Sequence, residues 1–115
     1  MAKELINFEQ FIAIEKQLEI KIGEVLEMEY INKKMMKLTV SFGEGDIRTV
    51  VTNIGQKLAF FAPLIISMKF PFITNLLPAT ISGIESSAMI MVTENSEGKV
   101  ELPIQSAITV GAKLL

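Results

Sequence analysis

The stretch MKLTVSFGEGDIRTVVT, residues 36–52, decides the fold. Its first seven residues alternate between apolar and polar side chains, which is the period of a β-strand with one buried face. Gly43, Gly45 and Asp46 then mark a tight turn, after which the β-branched run Ile47–Thr52 begins. The stretch therefore predicts an antiparallel β-hairpin.

Further strands are predicted on both sides of this hairpin. Upstream, apolar residues at even positions from 20 to 30 predict a strand with one apolar face, with a bulge or bend at Gly23–Glu24. Downstream, 69–74 is predicted as a strand in which Pro71 indicates a sheet edge, and the apolar run 88–93 as a central strand. A turn at 95–98 leads into a return strand at 99–102.

Helices are predicted to be few and short. Asn7 and Gln10 have the spacing of a capping box and predict an N-terminal helix over about residues 7–17. A second short helix is expected within 56–61. No helix of crossover length separates successive strands, so a parallel α/β fold is disfavoured. About five strands suit a small closed barrel, with an open sandwich as the alternative, in a single domain over residues 1–115.

The composition limits the possible chemistry. The chain has 115 residues, half of them hydrophobic, and no cysteine, histidine or tryptophan. Thiolate nucleophiles, histidine acid–base catalysis and zinc sites of cysteine or histidine are therefore excluded. We predict no catalytic residues, no metal site, no cofactor and no enzyme activity. Missing cysteines make a cytoplasmic location the default.

The charge and hydropathy patterns limit the possible partners. The net charge of −2 argues against nucleic-acid binding driven by overall charge, so a local basic patch would have to serve. Residues 58–84 are long and apolar enough to span a bilayer, but Pro63, Pro71 and Pro78 interrupt them. We interpret this stretch as soluble core rather than as a membrane segment.

Two stretches resemble the tRNA-binding domain family. They are LEIKIGEVLE at 18–27 and NLLPATISGIESSAM at 75–89, with TVVTNI at 49–54 and VGAK at 110–113 in the expected order. This domain occurs in free-standing tRNA-binding proteins, at the end of methionyl-tRNA synthetases and within phenylalanyl-tRNA synthetase β chains. The resemblance implies an all-β fold, a five-stranded OB-fold barrel with short helices, commonly dimeric and with tRNA or another partner on its surface.

The sequence departs from the family pattern at cationic positions. Where the family usually carries lysine or arginine in the second stretch, this chain has Leu77, Thr80 and Ser82. The segment Tyr30–Met35 also differs from the family's usual residues after the first strand. Because affinity for nucleic acid depends strongly on the number of phosphate contacts, the resemblance transfers the fold better than the ligand.

The candidate nucleic-acid-binding residues fall into two groups. Lys33 and Lys34 beside Tyr30 form the only local basic cluster, which either contacts phosphates or is a solvated connection between strands. Lys21 and Arg48 would add attraction for phosphates. In the second stretch the candidates are Asn75, Ser82, Ser86 and Met89. Asn75 and Ser86 would equally suit turn-capping roles, and Met89 and Met91, like Met36, fit strand patterns typical of a core.

Three functions fit these features. The first is a non-catalytic tRNA-binding module that acts as a homodimer. The second, implied by a related branch of the family, is a dimeric protein-binding chaperone whose partner is an unfolded client. The third is an assembly module that recruits an aminoacyl-tRNA synthetase. No membrane partner is expected.

Overall fold

The hairpin predicted at residues 36–52 lies within a curled antiparallel sheet. The computed structural model describes residues 3–58, 65–98, 100–101 and 109–113. The main sheet has the order β3-β2-β1-β4-β7. Its strands are β1 (Ile20–Tyr30), β2 (Met36–Ser41), β3 (Ile47–Thr52), β4 (Lys69–Ile73) and β7 (Met89–Ile90). The predicted all-β fold, a five-stranded curled sheet with short helices, is confirmed.

The remaining described elements are two small hairpins and two short helices. The hairpins pair β5 (Ala79–Ile81) with β6 (Ile84–Ser86) and β8 (Thr93–Glu94) with β9 (Val100–Glu101). The helices are α1 (Phe8–Glu15) and α2 (Gly55–Leu58). The rest of the second predicted helix, the return strand beyond Glu101, and Phe60, Phe61 and Pro63 lie outside the described residues.

The core fills the inside of the curled sheet. Its side chains come from alternate positions of β2, from β3 and β4, and from α2, and they include Leu38, Val50, Leu58, Phe70 and Phe72. Gly23 explains why β1 curls across them. A Cβ at this position would lie 2.6 Å from Val40 Cγ1 and 2.7 Å from Phe42 Cε1, so only glycine lets these side chains close over the strand.

The prediction of a single apolar face along β1 is wrong. The register with β2 shifts between Val25 and Glu27, two residues beyond the bulge that the sequence indicated. The extra residue reverses the alternation, so Val25 is buried while Leu26 is exposed. A pattern of period two cannot be continued through such a bulge.

Two expectations about strand positions are also wrong. Pro71 does not mark a sheet edge, since β4 lies between β1 and β7. The proline oxygen accepts from Met91 N at 2.9 Å on the β7 side, so its missing N–H also faces that side, where the pairing of β7 is only two residues long. The run 88–93 does not form a central strand: only Met89 and Ile90 pair, at the end of the described sheet order.

The N-terminal helix begins at the predicted capping box. Asn7 Oδ1 accepts from Gln10 N at 2.8 Å, and Asn7 N donates to Gln10 Oε1 at 3.0 Å. None of the residues of α1 is buried, and Phe8 is 73% exposed. Among the described residues, no helix has both the length and the apolar character needed to cross a bilayer.

Candidate nucleic-acid interface

The loop between β1 and β2 presents two lysines to solvent. Asn32 Oδ1 accepts hydrogen bonds from the backbone N–H groups of Lys34 and Met35, both at 2.9 Å, and so closes an Asx turn. Ile31 N donates to Met35 O at 2.9 Å and ties the two ends of the loop together. The side chains of Lys33 and Lys34 are exposed on this turn, which holds them in place.

This basic loop rests against α2. Gly55 N donates to Lys34 O at 2.9 Å, and a Cβ on Gly55 would lie 3.0 Å from the same oxygen. The close approach therefore uses the absence of a side chain at Gly55. It also places the lysines next to Met35 and Ile54, two residues that line a groove.

The groove is open and predominantly apolar, with a volume of about 700 Å³. It lies where the ends of β3, β4, β5 and β7 meet, and the side chains that line it include Met35, Ile54, Ile73, Ile81, Met89 and Met91. Met89 is 56% exposed and Met91 37%. The interpretation of Met89 and Met91 as core residues is therefore wrong, whereas Met36 is fully buried as expected.

The segment predicted as one bent loop contains the β5–β6 hairpin. Ser82 and Gly83 both have positive φ, 51° and 79°, as in the two-residue turns that match the twist of a hairpin. Ser82 is exposed at this tip, while Ser86 is buried at the other end. Ser86 Oγ accepts from Val51 N at 3.0 Å and donates to Ala88 O at 3.3 Å. Ser86 therefore fixes the hairpin to β3.

Asn75 joins the start of β1 to the end of β4. Its Oδ1 accepts from Glu19 N at 2.8 Å, and its Nδ2 donates to Gln17 O. Thr74 strengthens the same junction, since Thr74 N donates to Glu19 O at 2.9 Å and Thr74 Oγ1 to Glu19 Oε1 at 2.7 Å. The side chain of Asn75 thus serves the backbone, and it sets the direction in which α1 leaves the barrel.

Arg48 is engaged within the molecule. Its guanidinium donates to both carboxylate oxygens of Asp46, at 3.0 and 3.2 Å, and to Thr74 O at 2.7 Å. It also lies 5.2 Å from the centre of the Phe42 ring, within cation–π range. These contacts join the β2–β3 turn to the end of β4.

Lys21 belongs to a different surface. Its Nζ lies 3.7 Å from Glu19 Oε1, and it lines a polar pocket of about 340 Å³ together with Glu44 and Asp46. The hydrogen bond from the Thr74 hydroxyl, aided by Lys21 and Lys113, lowers the pKa of Glu19. The hydrogen bond from Arg48 lowers the pKa of Asp46. Two acidic side chains in this pocket make it a poor phosphate site.

The structure brings together only some of the predicted residues. Lys33, Lys34 and Met89 meet at the groove, and Ser82 lies at the exposed hairpin tip. Lys21, Arg48, Asn75 and Ser86 make contacts within the barrel instead. The sequence reasoning missed Ile54 and Ile81, because a residue that lines a groove at strand ends has no periodic signal of its own.

A family profile described as a putative tRNA binding domain matches residues 20–113. The chain belongs to this family. It is 38% identical over 100 residues to the methionine–tRNA ligase of Flavobacterium johnsoniae, covering 85% of this chain and 13% of that protein. For the enzyme of Deinococcus radiodurans the identity is 35% over 101 residues, covering 85% and 14%. The chain thus spans about a seventh of the length of these relatives.

Solved structures of family members share the fold. The methionyl-tRNA synthetase-related protein of Pyrococcus horikoshii superposes with a TM-score of 0.77 and 34% identity, covering 98% of this chain and all of that one. The chaperone CsaA of Bacillus anthracis superposes with a TM-score of 0.72 and 20% identity, covering 97% and 100%. At that identity the second likeness concerns the fold alone.

Proposed function

We propose that this protein is a non-catalytic tRNA-binding module of the OB-fold type that acts as a cytoplasmic homodimer. The observation that carries the proposal is the position of Lys33 and Lys34, exposed on a fixed turn beside an open apolar groove. Ammonium groups attract phosphates, while an apolar surface favours unpaired bases. Membership of the tRNA-binding domain family supports tRNA as the nucleic acid.

The proposed homodimer is supported by the N-terminal arm, residues 3–18. No residue of α1 is buried, and the arm exposes the large apolar side chains Leu5, Ile6, Phe8, Phe11, Ile14 and Leu18. Burying one such side chain is worth about 1.5–3 kcal/mol. A contiguous set of this kind is typical of an interaction surface.

The test of tRNA binding is a titration followed by fluorescence anisotropy at two salt concentrations. The double variant Lys33→Ala/Lys34→Ala should bind tRNA roughly tenfold more weakly at low salt, and the slope of log K against log salt should fall by about 2. Both changes follow from the loss of two phosphate contacts.

The matched control is Lys3→Ala/Lys16→Ala, which removes the same charge from the N-terminal arm and should leave the salt slope unchanged. Absence of tRNA binding by the unaltered protein at low salt would contradict the proposed function. Equal weakening by the two double variants would show that the attraction comes from overall charge instead of from the basic loop.

A protein client is the second candidate ligand, and the groove favours it. Leu77 is 92% exposed close in sequence to the groove residues Ile73 and Ile81, at a position where the family resemblance leads us to expect a cation. Methionine-lined apolar surfaces adapt to varied partners. Suppression of the aggregation of an unfolded client, together with no tRNA binding, would support this function. Specific capture of a purified synthetase would support an assembly role instead.

A further inference from the structure

Two exposed apolar surfaces lie near the same end of the barrel. The first is the stripe Phe8, Phe11 and Ile14 on α1, whose spacing of three residues places these side chains along one side of the helix. The second is the groove defined above, lined by Met35, Ile81 and Met89 among others. The junction at Asn75 connects them, because it follows Ile73 of the groove and holds the end of the arm.

The arm does not fill the groove of its own chain. No residue of α1 lines the groove, and Phe8, Phe11 and Ile14 are all at least half exposed. The junction explains this, since Asn75 bonds to both Gln17 O and Glu19 N and so fixes the path of the chain. Gln17 N also donates to Ile14 O at 3.0 Å, which closes a turn at the end of α1. The arm is directed away from its own barrel.

We propose that α1 of a second copy of this chain occupies the groove, and that the exchange is reciprocal. A helix of eight residues is about 12 Å long and offers one apolar stripe. The groove volume of about 700 Å³ is sufficient for a few large side chains. Met89 and Met91, unbranched and half exposed, can adjust to aromatic side chains.

The accessible area favours an occupant of this size. The chain exposes 8127 Å². A compact monomer of this mass exposes roughly 6,200 Å². The excess is larger than the area of about 800 Å² that each partner buries in a standard interface.

Charge and symmetry favour a second copy over an unrelated helix. Glu9 and Glu15 flank the apolar stripe of α1, and Lys33 and Lys34 lie beside the groove. Because each chain carries both surfaces at one end, two copies related by a twofold axis satisfy both of them and leave none over. Such a contact closes and does not propagate into a fibre.

This inference rests on the homodimer proposed above, and disulfide cross-linking separates the two. The chain contains no cysteine, so any disulfide joins introduced residues. Phe11→Cys protein and Met89→Cys protein are mixed, refolded together from urea so that subunits exchange, and oxidised mildly. The mixed disulfide should predominate over both symmetric ones. Ile14→Cys with Met91→Cys repeats the experiment at neighbouring positions.

The control pair is Phe11→Cys with Glu44→Cys, since Glu44 is exposed at the polar pocket, a different surface from the groove. A mixed disulfide no more abundant than with this control overturns the inference, as does a predominant bond between two copies of Phe11→Cys, which would mean that the helices pack on each other. Sedimentation of the unaltered protein as a monomer would overturn the homodimer and this inference together. The tRNA titration is independent of all three results.

Discussion

Ser86 connects three segments of the barrel through one hydroxyl group. It accepts from Val51 N and donates to Ala88 O, and its side chain is buried. In the same region Ser87 N donates to Thr49 O at 3.2 Å. A buried N–H that loses its acceptor has no water to replace it, so the energetic role of Ser86 is larger than its size suggests.

Ser86→Ala is expected to destabilise the protein by about 1–3 kcal/mol, because Val51 N is left buried and unpaired. Urea denaturation followed by circular dichroism measures the loss. The control is Ser82→Gly at the exposed turn, where φ of 51° suits glycine and no loss is expected. Equal stability of Ser86→Ala and the unaltered protein would exclude this role for Ser86.

The sequence could nominate polar residues but not assign their partners. Asn75 and Ser86 were candidates for a ligand or for a turn, and the structure gives them backbone partners within the chain. Arg48 looked like a phosphate contact, yet its guanidinium faces Asp46 and Thr74 O. An isolated polar residue has the same letter in both roles, and only the neighbours brought by the fold distinguish them.

At the scale of elements, the predictability of a strand followed its length. The hairpin of β2 and β3 was predicted because six-residue strands show a full alternation around a glycine turn. The hairpin of β5 and β6 was missed because strands of three residues contain no period. The bulge in β1 was indicated by Gly23 and Glu24, but its register required the partner strand.

The β5–β6 hairpin leads to a prediction of increased binding. Leu77, Thr80 and Ser82 are exposed at or near its tip, and the family resemblance places cations at these positions. The triple variant Leu77→Lys/Thr80→Lys/Ser82→Arg is expected to bind tRNA at least tenfold more tightly at low salt, with a steeper salt dependence. Fluorescence anisotropy with tRNA measures both.

The comparison for this triple variant introduces the same three charges elsewhere, as Glu9→Lys on α1 with Glu44→Gln at the β2–β3 turn. Both proteins then have the same net charge. If tRNA affinity rises equally in the two, the hairpin tip has no special position relative to the bound RNA.

At the scale of the whole molecule, two carboxyl groups join distant parts of the chain. Glu19 pairs with Thr74, and Asp46 with Arg48, and the pKa of each carboxyl is lowered. A group with a lowered pKa in the folded state stabilises above its unfolded pKa, and this stabilisation is lost as pH falls through the folded pKa. Acid should therefore loosen the contacts that link β1, β3 and β4.

The double variant Glu19→Gln/Asp46→Asn is expected to lose less stability than the unaltered protein as pH falls from about 5 to about 3. The measurement is the midpoint of urea denaturation at each pH. Glu44→Gln, at an exposed turn residue, should follow the unaltered protein. Parallel pH curves for all three proteins would mean that neither carboxyl is linked to folding.

The pinned β5–β6 hairpin has an evolutionary consequence. Its scaffold depends on Ser86 at the base, while the side chains at its tip make none of these bonds. Point substitutions at the tip can therefore accumulate without a selective cost in folding. A lineage that carries this hairpin can exchange one ligand preference for another by neutral drift, and every intermediate sequence along the way remains a folded protein.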